Sequence, residues 1–241
     1  MAEALLSLAG VNTHIGQYHI LQGVDFEVPR AGLTMLLGRN GAGKTTALRT
    51  IMGLWKASAG AIRFDGREIT RTSTPDLAQL GIGYVPENMG IFAGLTVKEN
   101  LLLAARSGAP DKKRLDWIFK LFPAMQKFWN GLAGNLSGGQ KQMLAISRAI
   151  VEPRKLLLVD EPTKGLAPAI ISNMIEAFKE LKRTETALLV VEQNFHFARS
   201  LGDAVAVMDS GRIVHTGSMA ALAADEQLQT KLLGLSLESH Q

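Results

Sequence analysis

The chain has 241 residues, enough for one large α/β domain with a full hydrophobic core. A composition of 46% hydrophobic and 20% charged residues excludes a disordered chain, and the lack of cysteine excludes disulfides and thiol chemistry. No apolar run approaches the roughly 18 residues of a membrane span, and the net charge of +4 comes from scattered basic residues; the densest run, Lys112-Lys113-Arg114, reads as a solvated face.

In chain order, the start from Met1 to Leu6 lacks the basic region and long apolar stretch of a secretion signal. Short strands are predicted at Leu5–Ser7, at Leu21–Val28 with alternating apolar residues, and at Leu33–Leu37. The third is apolar throughout except Thr34, the pattern of a strand buried on both faces. It runs directly into Gly38-Arg39-Asn40-Gly41-Ala42-Gly43-Lys44-Thr45, which fits G-x-x-x-x-G-K-[ST] at every fixed position. Helical spacing from Thr45 to Met52 follows and stops at Gly53, so the loop lies between a strand and a helix, the context that motif requires.

Gly41 and Gly43 let the backbone turn tightly and approach phosphate closely. Amides from about Asn40 to Thr46 can then point at one anion at a helix start. Lys44 is placed to bridge the β- and γ-phosphates, Thr45 to ligate Mg²⁺, and Thr46 to lie nearer the α- and β-phosphates. The reading is a nucleotide triphosphate site on a chain that works in the cytoplasm.

Further along, Ala61 to Gly66 reads as a hairpin arm ending in an Asp-Gly turn, and Ile82–Val85 as a strand stopped by Pro86. From Thr96 to about Arg148 the spacing is helical, punctuated by Gly108, Pro110, Pro123, Gly131 and Gly134; Trp117 and Trp129 are expected to pack there. Ser137-Gly138-Gly139-Gln140 opens a helix to about Val151, with Ser137 as N-cap and two glycines exposing amides. That is a second anion-binding helix start, or, taken alone, a plain cap.

Strands return at Lys155–Val159, Ala187–Val191 and Ala204–Met208, with a helix at Ile170–Lys182 and a last amphipathic helix from Ser218 to Leu233. The pattern is a parallel-sheet core interrupted by a helical insertion. Asp160, at a strand end, can reach the metal, and Glu161 beside it can orient an attacking water; helix capping is the plainer alternative. His14, His19, His196, His215 and His240 show no metal-ligand spacing.

Taken together, the loop, the Ser137 segment and the Asp160-Glu161 strand resemble, in that order, the ATP-binding cassette (ABC) ATPases over nearly the whole chain. The likeness is to the smaller ATPase of importers for branched-chain amino acids, and to its counterpart in urea and short-chain amide importers. It is carried by Val11-Asn12-Thr13, His19-Ile20-Leu21, Gly83-Tyr84-Val85-Pro86-Glu87, Leu95 to Leu101, Gly165-Leu166-Ala167-Pro168, Val191-Glu192-Gln193-Asn194 and Leu232-Leu233-Gly234-Leu235.

The resemblance implies an α/β P-loop NTPase (RecA-like) fold, with a parallel core, an N-terminal antiparallel β subdomain and an inserted α-helical subdomain. It implies one nucleotide-binding domain over residues 1–241. The catalytic core spans about 1–87 and 149–217, the helical subdomain about 88–148, and a C-terminal helix about 218–235. Lys44, Glu161 and Gln193 would be catalytic, and Thr45, Glu87 and Asp160 would hold Mg²⁺. ATP would contact Gly38 to Thr46 and, at the base, Ile15 or Tyr18. Ser137 to Gln140 would bind the γ-phosphate held by the other subunit of a head-to-tail dimer, formed with itself or with a sister ATPase.

Three positions depart from the family pattern. Glu87 stands for a glutamine, which a metal-ligating carboxylate tolerates. Gln193 stands for a switch histidine and cannot carry positive charge, so turnover is expected to be slower or one of two composite sites weak. Ala167 stands for an aspartate after Glu161, which bears on communication between sites.

The function implied is ATP binding and hydrolysis that energises a membrane importer from the cytoplasmic face of the inner membrane. Its partners would be two multi-spanning permeases and, indirectly, a secreted solute-binding protein, with no nucleic acid. Leu95 to Leu101 is the expected permease-facing stretch, against plain packing. The rival readings are a soluble ABC ATPase of repair, translation or cofactor assembly, and a nucleotide-gated subunit that hardly hydrolyses.

Overall fold

The computed structural model describes residues 4–106 and 108–234. What the sequence says of Met1–Glu3, Leu235 and His240 lies outside them.

Strands Ala4–Ile15 (β1) and Tyr18–Pro29 (β2) pair antiparallel, with Leu6 opposite Val28 and Val11 opposite Val24. The sequence reading ends the first strand at Ser7, whereas β1 runs on to Ile15. In the fold Gly10 takes a left-handed bulge (φ 60°) and donates its N–H to Asp25 Oδ1, so the strand bends and continues. Leu33–Leu37 (β3) and the helix Lys44–Ile51 (α1) flank the glycine loop as expected. Ala57–Phe64 (β4) turns through Asp65 and Gly66, both at positive φ, into Arg67–Glu68 (β5). A short helix that the sequence reading did not anticipate, Thr74–Gln79 (α2), is capped by Ser73 and leads to Ile82–Val85 (β6).

The helical stretch resolves into Val97–Ala104 (α3), Lys112–Leu121 (α4), Pro123–Lys127 (α5) and Gly138–Ile150 (α6). A capping box of Thr96 and Glu99 starts α3. Val97, Leu101, Ile118, Phe122, Met125 and Leu144 are buried together. Trp129 meets Phe119 edge-on at 5.3 Å, and the Arg114 guanidinium lies 4.4 Å above Trp117, so both tryptophans pack as expected. Arg114 also donates to the Ile150 carbonyl, which draws it in while Lys112 and Lys113 stay exposed.

Leu156–Asp160 (β7), Pro168–Lys182 (α7), Ala187–Glu192 (β8), Phe195–Leu201 (α8) and Ala204–Asp209 (β9) follow. Next come Arg212–Ser218 (β10), Met219–Ala224 (α9) and Glu226–Leu233 (α10). The single C-terminal helix of the sequence reading is therefore two. Asp225 leaves helical geometry and its carboxylate accepts the Leu228 N–H, restarting the helix in a new direction. Met219 and Leu222 of α9 are buried, whereas α10 has no buried residue and rests Leu228, Leu232 and Leu233 on the core.

Among the described residues the strands make two sheets. One, in the order β10-β9-β3-β8-β7-β6, is parallel except for its edge β10; the other, β2-β1-β4-β5, is antiparallel. Alternate residues of the parallel strands enter different cores, since side chains alternate across a strand. Leu33, Met35, Leu37, Leu157, Val159, Leu188 and Val190 pack against the helices. Leu36, Leu156, Leu158, Leu189 and Val191 pack with α1 and the antiparallel sheet. This double burial fixes β3, β7 and β8, and thus the loops leaving their carboxyl ends.

Candidate functional site

Those loops converge. β3 delivers the chain to Gly38, where a Cβ would stand 2.2 Å from the Met208 carbonyl of β9, so no side chain fits. Gly41 (φ 80°) and Gly43 (φ 107°) then hold left-handed turns that favour glycine. Gly43 is the N-cap of α1 and no side chain caps that helix, which leaves its first amides to a ligand. A cleft of about 330 Å³ opens over this loop, lined by Ile20, Asn40 to Thr46, Glu87, Glu161 and Lys164.

Lys44 Nζ donates to the Gly38 and Arg39 carbonyls at 2.8 and 3.0 Å and lies 3.7 Å from Glu161 Oε1. Only 4% exposed, its ammonium is pushed below the ordinary lysine pKa by burial, against the pull of Glu161 and Asp160. Thr45 Oγ1 donates to Asp160 Oδ1 at 3.0 Å across the gap between α1 and β7. The other Asp160 oxygen is buried with no partner among the described residues. Burial, with Glu87 and Glu161 nearby, pushes the Asp160 carboxyl up to about 6, although the Thr45 bond opposes this.

Glu161, 8% exposed, holds a left-handed backbone (φ 47°), a strain of roughly 1–2 kcal/mol for a non-glycine residue. Gln193 Nε2 donates to Glu161 Oε1 and to Asn40 Oδ1, each at 2.6 Å, and so ties the loop after β8 to both. Lys164 Nζ contacts Glu87 Oε1 at 2.5 Å and approaches Glu161 Oε2 at 3.6 Å. Of the residues assigned from sequence, Lys44, Thr45, Glu87 and Glu161 line this cleft, Gln193 bonds to Glu161 from the neighbouring loop, and Asp160 lies buried against Thr45.

Sequence reasoning missed Glu192. Its carboxylate, at the end of the apolar β8, accepts from Thr163 N and Oγ1 and from the Gln193 and Asn194 amides. Burial still raises its pKa above the usual carboxylate value. It locks the loops after β7 and β8 together; the available signal was a lone carboxylate closing an all-apolar strand.

Other assigned residues lie apart. Gly38 and Arg39 line a neighbouring cleft of about 290 Å³ with Gln193, Phe195 and Leu233. Ile15 pairs with Tyr18 at the tip of the β1–β2 hairpin, and neither lines the cleft over the loop; Ile20 supplies its apolar wall. Ser137 to Gln140 do not line it either. Ser137 Oγ accepts the Gln140 N–H, and Gln140 Oε1 accepts the Ser137 N–H, as a capping box on α6. A Cβ on Gly139 would meet Ile170 at 2.7 Å, whereas one on Gly138 would meet open space, so internal packing requires glycine at 139 and not at 138.

The donors fit a polyphosphate and a hard divalent cation. One buried ammonium and uncapped amides face the cleft, and the unpartnered Asp160 oxygen stands beside the Thr45 hydroxyl. Among the described residues no group of three or more His, Cys, Asp or Glu forms a ready-made cage, the arrangement typical of Mg²⁺ shared with phosphate oxygens.

The sequence profile of the ABC transporter family matches residues 21–164. The high-affinity branched-chain amino acid transport ATP-binding protein BraG of Pseudomonas aeruginosa is 38% identical over 232 residues, which cover 95% of this chain and 100% of that one. The probable branched-chain amino acid transport ATP-binding protein LivF of Archaeoglobus fulgidus is 34% identical, over 96% of this chain and 99% of its own length. In fold, the chain superposes on MJ1267, an ATP-binding cassette of an ABC transporter, with a TM-score of 0.82 at 24% identity, covering 98% of this chain and 100% of that one.

Proposed function

Because the chain belongs to the ABC transporter family, as an ATP-binding and ATP-hydrolysing subunit of an importer, we propose that it energises uptake of branched-chain amino acids or a related small polar solute such as urea or amides. The observation that carries this reading is the meeting of the glycine loop and Glu161 in one cleft, with Lys44 between the loop carbonyls and Glu161 and buried Asp160 bonded to Thr45.

In this reading residues 1–241 form one nucleotide-binding domain, with core segments of about 1–87 and 149–217 and a helical subdomain of about 88–148. Amides of Gly38 to Thr46 and the Lys44 ammonium hold the phosphates of ATP. Thr45, Asp160 and Glu87 would hold Mg²⁺, which when bound neutralises charge on the phosphate oxygens. Glu161 orients a water in line with the γ-phosphorus and takes its proton, giving ADP and phosphate. Gln193, bonded to Glu161 and Asn40, keeps that carboxylate over the loop. Ile15 or Tyr18 contacts adenine from the hairpin. Ser137 to Gln140 complete the site of a second ATPase, a copy of this chain or a sister chain.

No helix among the described residues is long and apolar enough to cross a membrane. The importer reading places the chain peripherally on the cytoplasmic face of the inner membrane, on two multi-spanning permeases, with a secreted solute-binding protein as an indirect partner. Of the Leu95 to Leu101 stretch, Val97, Asn100 and Leu101 are buried. Permease contact would fall on its exposed side and on Phe92 and Leu103, which flank it and are exposed.

The test is a pull-down of tagged Glu161→Gln protein from detergent-solubilised source membranes with ATP. Two permeases and a second ATPase are the expected partners. Recovery of soluble partners alone would overturn the importer assignment.

A further inference from the structure

Lys164, in the loop after β7, has no part in the reading above. Its side chain is 57% exposed at the mouth of the cleft, yet it is built in. Its backbone N–H donates to the Glu161 carbonyl, and the preceding Thr163 is pinned by the buried Glu192 carboxylate through both its amide and its hydroxyl. From this anchored position Nζ reaches Glu87 Oε1 at 2.5 Å and Glu161 Oε2 at 3.6 Å. The two carboxylates come from different elements, Glu87 from the loop after β6 and Glu161 from the end of β7.

The charges along the cleft give this arrangement a consequence. Its ionisable lining is Glu87 and Glu161 against Lys44 and Lys164, with buried Asp160 just beneath. Without Lys164, one ammonium would face two carboxylates and any polyphosphate entering beside them. Like charges at such spacing repel one another and repel the ligand.

We propose that Lys164 is a positioning residue for nucleotide binding: its ammonium neutralises Glu87 and holds Glu87 and Glu161 on either side of one cation, so that a cleft with two carboxylates at its mouth accepts a triphosphate. The assignment rests on this cleft being the nucleotide site. A purely structural ion pair between two surface loops would have little effect on ligand affinity.

The experiment is a fluorescence titration of the full chain at low salt with N-methylanthraniloyl-ATP, in EDTA and again with Mg²⁺. The proteins are wild type, Lys164→Ala, Lys164→Arg, Glu87→Gln, the Lys164→Ala/Glu87→Gln pair and Lys44→Ala. Lys164→Ala should weaken binding by about five- to tenfold, and Lys164→Arg should stay within about twofold of wild type. In EDTA, adding Glu87→Gln to Lys164→Ala should restore most of the lost affinity, because the uncompensated carboxylate is then gone. Unchanged affinity in Lys164→Ala, or a double variant as weak as the single one, would overturn the proposal while a weakened Lys44→Ala left the site itself standing. An unaffected Lys44→Ala would overturn the site, and this assignment with it.

Discussion

Lys44 shows how a cation can be buried before its ligand arrives. Two loop carbonyls and the nearby Glu161 hold the ammonium in place, although burial disfavours its charge. Lys44→Ala would leave bound phosphate charge unpaired and should weaken ATP binding by about 2–5 kcal/mol by titration calorimetry; unchanged affinity would refute the site. Glu161→Gln keeps the size of the side chain and its contact with Gln193, but the amide cannot take a proton. It should bind ATP and lose most turnover in a phosphate-release assay, and a wild-type rate would show that another group activates water. Lys44, Asp160 and Glu161 were legible because each sits at a fixed place in a local motif. Glu192 and Lys164 were not, because their importance comes from contacts between loops far apart in the chain.

At the level of elements, Asp65 in the β4–β5 turn joins separate parts of the molecule. Its carboxylate accepts from Arg30, after β2, and from Lys155, just before β7. Hydrogen bonds to Lys155 and Arg30 lower its pKa below the ordinary 3.8. A lowered carboxyl pKa means that its contribution to stability is present above the unfolded value and is lost as pH falls through the folded one. Asp65→Asn should therefore be less stable than wild type to urea at pH 7, by a gap that narrows as the pH falls below 3.8; a gap that stays constant would show that charge is not what ties these elements. Thr96→Ala, which removes the α3 cap, should cost about 1 kcal/mol by thermal melting. Strands with continuous or alternating apolar runs were legible as elements. β10 was not, since its side chains are mostly exposed and carry no core pattern, although the Ser210-Gly211 turn before it was a usable sign. The break at Asp225 escaped for a related reason: one capping bond outweighed an unbroken helical spacing.

In the molecule as a whole, the α/β class and the helical insertion could be read from the order of patterns, but strand order could not, because periodicity says which face is buried and not which strand lies alongside. That order has its own consequence. β3, which carries the phosphate loop, lies between β8 and β9, pairing Leu33 with Leu188 and Thr34 with Ala204. A chain stopped at residue 186 would contain the whole loop, Asp160 and Glu161, yet neither strand that holds β3. It should fail to retain ATP in a filter-binding assay; retention would show that the loop is ordered by local sequence alone. Pairing between segments so distant in sequence forms late. On the ribosome, then, the nucleotide motif emerges early but is expected to hold ATP only once β8 and β9 have followed it, so an unfinished copy should leave the cell's ATP untouched.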